Sequence, residues 1–455
     1  MSDEVRSFHG MDHRAAVTAV LPTVRADLER LVRIPSVSAD PAAAGHLAAS
    51  AELVVELLLA EGLDTEILTV PGGKPAVMGR RPGPPGAPTV LLYAHHDVQP
   101  VGDRAEWSSD PFVPEERDGR LYARGSSDDK AGIALHLATL RAFGDELPVG
   151  VVVLVEGEEE IGSPTLKEFL AAHREKLAAD VVVLADSSNW TVDVPALTTS
   201  LRGGATVTVE VRTLDHALHS GMYGGAVPDA LTALCRLLAT LHDADGDVAV
   251  VGLGSRETAA PDLPEDQFRA DAGVLDGVQL IGTGPLTDRM WNRPSITVIG
   301  IDAPAVDGSS PALLPVARAA VSMRVAPGDD AAAAQQALVR HLEANAPWGA
   351  LVTVTPKRTA APFSAAGSGP AYDAAHAAFA EAWGTAAVDM GVGGSIPFVA
   401  AFAELLPDAE ILITGVEDPD TRAHGANESL HLAMFERCCL AEVLLLTGLA
   451  TASTR

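Results

Sequence analysis

Cysteine is almost absent from this chain of 455 residues. Cys235, Cys438 and Cys439 are the only three, and the last two are adjacent, so neither a disulfide framework nor a Cys-x-x-Cys metal site can be built. Basic residues are also scarce: 32 Lys and Arg stand against 61 Asp and Glu, a formal charge of −29. Such a balance repels phosphate backbones and anionic bilayers, which argues against nucleic acid as a partner. No apolar run approaches the roughly 20 residues that a membrane span needs. The start, Met1-Ser2-Asp3-Glu4-Val5-Arg6, lacks the apolar segment of a signal peptide. The expectation is a protein of a reducing compartment, cytoplasmic and without membrane contact. With 47% hydrophobic residues the chain can bury a large core, and its length suggests two or three domains.

What is present centres on Ala94-His95-His96-Asp97-Val98, which closes the apolar run Thr89–Tyr93. A β-branched and apolar run ending in His-x-Asp reads as a buried strand delivering polar groups at its carboxyl end, where open α/β sheets place their sites. Strand alternation turns His95 and Asp97 to one side and His96 to the other. Two further buried runs end in acids: Val149–Val155 before Glu156-Gly157-Glu158-Glu159-Glu160, and Val181–Ala185 before Asp186. Carboxylates crowded at a sheet end repel one another unless a cation relieves them. Asp128 and Asp129 precede the apolar helix expected over Ile133–Phe143, where they suit either an N-cap or a metal bridge.

Helices are expected over Arg14–Arg33 and Ala43–Glu61, with short strands at Thr65–Val70 and Ala76–Met78. From Gly204 the pattern changes to the half-buried alternation of an antiparallel strand. An α+β module follows, with helices over Pro228–Leu241 and Asp330–Asn345 and strands at Ile296–Ile301, Val316–Val325 and Leu351–Thr355. The acidic, Gly- and Pro-rich stretch 243–284 reads as an elaborated loop. After Pro362–Gly369 come a helix over Ala371–Trp383, a strand near Ala386–Met390, the turn Gly391–Pro397, a strand at Glu410–Thr414 and a long helix over Asn427–Leu449. His424 would lie at the amino terminus of that helix. The expected architecture is a mostly parallel α/β sheet flanked by helices, split into residues 1–196 and 364–455, with an α+β lid inserted over 197–363.

Six stretches carry a family resemblance: Leu92–Pro100, Tyr122–Gly132, Glu156–Ser163, Leu218–Gly225, Gly393–Pro397 and the segment around His424. In sequence and order they resemble the di-zinc metallopeptidases that include carnosinase-like dipeptidases, succinyl-diaminopimelate desuccinylase and aminoacylase. The resemblance implies a zinc-exopeptidase-like catalytic domain with an inserted lid and dimerisation domain. It makes His95, Asp128 and Asp186 ligands of one metal, and Asp128, Glu160 and His424 ligands of the other. Two divalent ions are implied, zinc first, with manganese or cobalt as substitutes. Glu159 would be the general base toward a water shared by the metals, and Asp97 would fix the His95 tautomer. His219 corresponds to a histidine that reaches a partner's active site in dimeric relatives, which implies a homodimer. Arg324 resembles the arginine that binds the substrate's carboxylate, and Gly394 and Ser395 would offer donors to the same end.

Asp at position 186, Val98-Gln99-Pro100 and Met222–Gly225 resemble the dipeptidase branch, so a small unblocked dipeptide is the expected substrate. The alternatives are an amidohydrolase of N-acyl amino acids using the same metals, and a metal-binding dimeric scaffold without turnover. Ala94 departs from a usual Gly, His96 stands where an apolar residue is more common, and Ala312 falls near a position that relatives tend to fill with a polar residue.

Overall fold

A computed structural model describes residues 12–257, 261–365, 367–394 and 397–452. The chain divides into two compact units. One holds the chain up to Thr199, Ala365–Met390 and everything from Pro397 onward; the other holds Ser200–Ser364 with Gly391–Ile396.

The first unit is built on a six-stranded sheet in the order Asp64–Leu68, Ala76–Arg81, Gly150–Glu156, Thr89–His95, Val181–Leu184, Glu410–Ile413. The last four strands run parallel to one another; Ala76–Arg81 joins them antiparallel, and Asp64–Leu68 in turn pairs antiparallel with Ala76–Arg81. Every residue of Gly150–Glu156 is buried, as a strand covered on both faces requires, and its apolar run follows from that. Each buried valine there contributes about 1.5–3 kcal/mol relative to exposure. The helices His13–Val32, Lys130–Phe143 and Leu432–Ala452 supply much of the rest of the core, through residues such as Leu28, Leu137 and Leu446.

The first helical pair agrees with the sequence, at His13–Val32 and Ala44–Ala60, the second entered through one 3-10 turn at Pro41–Ala43. One expectation is corrected there. Pro41–Ala60 is long and apolar enough in composition to cross a membrane, with mean hydropathy 1.5. Its alanines and leucines serve packing instead: Ala51, Val54, Leu57 and Leu58 are buried in the core of this unit. A second correction concerns the carboxyl end. The long helix begins at Leu432, not Asn427, because Ser429–His431 forms a strand paired antiparallel with Arg120–Tyr122. His424 thus sits in a turn before a strand and not at a helix terminus.

The second unit carries a four-stranded antiparallel sheet ordered Ser295–Asp302, Val316–Val325, Gly203–Arg212, Leu351–Ala360. Gly203–Arg212 alternates buried and half-buried residues, the two-faced pattern read from its sequence. Helices Ala230–Ala239 and Ala331–Ala344 contribute Leu234, Leu237, Leu338 and Leu342 to the core of this unit, with Val207 and Val321 from the sheet. Gly391–Ile396 belongs here because Gly391 abuts the Trp291 side chain and the Gly393 carbonyl accepts from Arg202 Nε at 3.1 Å.

Candidate metal centre

The carboxyl edge of the six-stranded sheet gathers five of the proposed ligands. His95 ends its strand fully buried. Its Nδ1 lies 3.0 Å from the backbone carbonyl of Asp97, and an N–H donated there turns Nε2 toward Asp128 Oδ1 at 3.1 Å and Asp186 Oδ2 at 3.9 Å. The other oxygen of Asp128 faces His424 Nε2 at 3.1 Å, and that same nitrogen lies 3.1 Å from Glu160 Oε2. One carboxylate thus offers an oxygen to each imidazole, as a bridging ligand must. The ligand atoms of His95, Asp128 and Glu160 lie within 4.8 Å of one another, and those of His95, Glu159 and Asp186 do likewise.

Asp97 has more partners than the sequence suggested. Its carboxylate stands 3.5 Å from His95 Nδ1, paired with that imidazole, although the Asp97 carbonyl is nearer to the same nitrogen. The two oxygens also accept from the N–H groups of Glu159 at 3.2 Å and Glu160 at 3.1 Å. Asp97 therefore holds the turn that presents both glutamates. Asp129 occupies the N-cap position of Lys130–Phe143, but its side chain makes no capping bond: its Oδ2 accepts from the His95 N–H at 3.1 Å. Gly132 is required here, since a Cβ would come within 2.3 Å of Asp129 Oδ1. His96 points away, as strand alternation demands, with Nε2 2.8 Å from the Pro75 carbonyl, and burial holds its pKa down at about 4.

The electrostatics of the cluster call for positive charge. Burial, and then Asp186, push Glu159 well above the usual carboxylate range. Burial raises Asp186 to about 7, with His95 opposing and Asp128 adding to the rise. Glu417, missed from the sequence, is likewise driven up by burial and by Asp128 and Asp186. Against these, hydrogen bonds accepted by Asp128 and Glu160 from the imidazole raise His424 to about 11. Burial alone would raise Asp128, yet His424 and His95 outweigh it and hold that carboxyl below its ordinary value. Asp129 Oδ1 is buried with no hydrogen-bond partner. Two imidazoles with several carboxylates at a buried sheet edge are a donor set that suits divalent ions such as zinc or manganese.

Two more residues escaped the sequence reading. Gln99 donates its N–H to Glu160 Oε1 at 3.0 Å and its Nε2 to Oε2 at 2.7 Å, clamping that side chain. The sequence offered it only as part of Val98-Gln99-Pro100, without a role. Arg202, in the second unit, is held by carbonyls of Gly393, Arg289 and Arg293, and burial together with Arg324 lowers its pKa to about 10. Two guanidinium groups near one another favour an anion.

Of the other site residues expected from the sequence, all belong to the second unit. His219 is exposed, its Nδ1 accepting from the Gly221 N–H at 3.0 Å, and it pairs in register with Ala312. Arg324 is exposed on Val316–Val325. Gly394 has open space where a Cβ would stand. Ser395 lies outside the described residues.

Comparison with known proteins places the chain in a family. A sequence model of peptidase family M20/M25/M40 matches residues 91–447. A cysteinylglycine-S-conjugate dipeptidase of Corynebacterium striatum is 38% identical over 363 residues, 78% of this chain and 80% of that protein. A Cys-Gly metallodipeptidase of Schizosaccharomyces pombe is 26% identical over 445 residues, 90% and 91% of the two chains. Among solved structures, human carnosine dipeptidase 1 superposes with a TM-score of 0.77 at 24% identity, covering 96% of this chain and 98% of the other, which shows the shared fold.

Proposed function

The chain belongs to peptidase family M20/M25/M40, and from that premise we propose a metal-dependent dipeptidase that hydrolyses the peptide bond of small unblocked dipeptides. The observation that carries the reading is the placement of Asp128 between His95 and His424 at 3.1 Å from each, with Glu159 beside His95 and Asp186. His95, Asp128 and Asp186 would hold one ion, and Asp128, Glu160 and His424 would hold the other. Zinc fits best, with manganese or cobalt as substitutes. When bound, such a pair polarises the scissile carbonyl and acidifies a water.

The protein's own groups do the remaining work. Glu159, whose carboxyl burial and then Asp186 push above the usual range, takes the proton of the attacking water and returns it to the leaving amine. Asp97 fixes the Glu159–Glu160 turn through its two N–H bonds. Arg324, with Gly394 and Ser395, binds the substrate's carboxylate, and Arg202 sets the local positive charge. His219 steadies the developing oxyanion in a second copy of the chain, so the active form is a homodimer. The compartment is cytoplasmic, in keeping with three cysteines unsuited to a disulfide framework. Glu159→Gln is the test: it should keep its metals and lose turnover by about 10²- to 10⁴-fold. Full activity in that variant would overturn the mechanism.

A further inference from the structure

Glu428 stands four positions past His424 and has no exposed surface. Its Oε2 accepts from Arg124 Nη1 at 2.7 Å and from the Gly125 N–H at 2.9 Å. Its Oε1 accepts from the N–H groups of Ser127 at 2.9 Å and Asp128 at 3.0 Å. One side chain therefore gathers the turn that carries Asp128, reaching across 300 positions of sequence. Arg124, itself 1% exposed, turns Nη2 to the Gly425 carbonyl at 3.1 Å, immediately after His424. The buried ion pair thus fastens the Asp128 turn to the His424 turn.

The His424 turn needs fastening. Arg422, His424 and Asn427 have φ of 57°, 62° and 62°, left-handed values that are unfavourable for a non-glycine residue and persist only where the surroundings over-determine them. Asn427 is pinned by the Ser108 N–H and the Glu106 carbonyl, each at 2.8 Å. Glu428 and Arg124 pin the remainder. A buried ion pair is weak evidence for stability, since an apolar pair of similar volume often does as well, whereas the directed bonds to two turns are specific to this one.

We propose that Glu428 is a positioning residue which, through Arg124, sets Asp128 and His424 in the mutual geometry that binds metal. The inference rests on the assignment of those two residues as ligands. Its test is zinc affinity, measured by competition with a chelator on the full chain, beside thermal melts. Glu428→Gln sets an amide NH₂ against backbone N–H donors, and zinc affinity should fall about 10- to 100-fold. Both equivalents weaken, because Asp128 is shared. Glu442→Gln, which alters another buried carboxylate of the same unit, should leave zinc affinity unchanged. Unchanged affinity in Glu428→Gln, or an equal loss in Glu442→Gln, overturns the proposal. Should Glu428→Gln fail to fold, Arg124→Lys decides: a single ammonium keeps the charge but cannot hold both turns, and wild-type affinity there overturns it equally. Wild-type protein that takes up no zinc, manganese or cobalt refutes the metal centre itself, and the inference with it.

Discussion

Replacing Glu442 should reverse the sign of one part of the protein's pH-dependent stability. His136, on Lys130–Phe143, is fully buried, and both its ring nitrogens face acceptors. Nδ1 lies 2.9 Å from Glu442 Oε2, and Nε2 lies 3.1 Å from the Tyr93 carbonyl, two residues before His95. A neutral imidazole has one N–H, so only the imidazolium satisfies both contacts. Burial opposes that charge, but Glu442 outweighs burial and raises the pKa above 6.5. The folded state then holds a proton that the unfolded chain gives up near its own value. Stabilisation from this site is complete below about pH 6.5 and is lost as pH rises through the folded value, by up to about 1.4 kcal/mol per unit. In Glu442→Gln the amide NH₂ can donate to Nδ1 of a neutral ring, while Nε2–H stays on Tyr93. Burial then favours the neutral ring, the folded value drops below 6.5, and the site's contribution rises with pH up to about 6.5. Urea unfolding at a series of pH values from about 5.5 to 8 reads the difference directly. Wild type should lead by about 1–3 kcal/mol at the acid end, with the gap closing toward the alkaline end. A gap that stays flat across the series would refute a charged His136.

Three further outcomes follow from the same structure. Asp97→Asn leaves one of the two N–H groups of Glu159 and Glu160 facing an amide NH₂, and kcat of the zinc-loaded enzyme should fall about 10- to 100-fold, while metal analysis still finds both ions. Gly415→Ala places a Cβ 1.8 Å from the Ser187 carbonyl, a backbone atom that cannot step aside, so chemical denaturation should show a loss of about 1–3 kcal/mol or more; Gly45→Ala, on a helix with open space around it, should instead gain up to about 1 kcal/mol. Exhaustive chelation should abolish turnover and lower the melting temperature, because the crowded carboxylates lose their counter-charge; zinc or manganese should restore both.

Elements whose burial is set by the chain's own pattern were legible from the sequence. The uninterrupted apolar runs before Glu156 and Asp186 read as buried parallel strands, and alternation assigned His95 to the cluster and His96 away from it. Features decided by distant partners were not. Ser429–His431 continues the apolar spacing of the helix behind it, and only its pairing with Arg120–Tyr122 makes it a strand. The pairing of Asp97 with the imidazole was legible because His-x-Asp is local, whereas its bonds to the Glu159 and Glu160 N–H groups, 62 and 63 positions away, were not. Gln99, Arg202 and Glu428 carry no composition signal; Gln99 acquires its role from the Glu160 carboxylate, and Arg202 and Glu428 from backbone groups, that the fold brings to them. The helix at Ala44–Ala60 was legible from its spacing, although hydropathy alone does not distinguish such a core helix from a span.

The central claim is tested most directly by offering the zinc- and manganese-loaded protein a panel of unblocked dipeptides beside N-acetyl amino acids, each with and without chelator. Cleavage confined to the dipeptides and abolished by chelator is the predicted result. Cleavage of the acylated set instead, or hydrolysis that survives chelation, would contradict it.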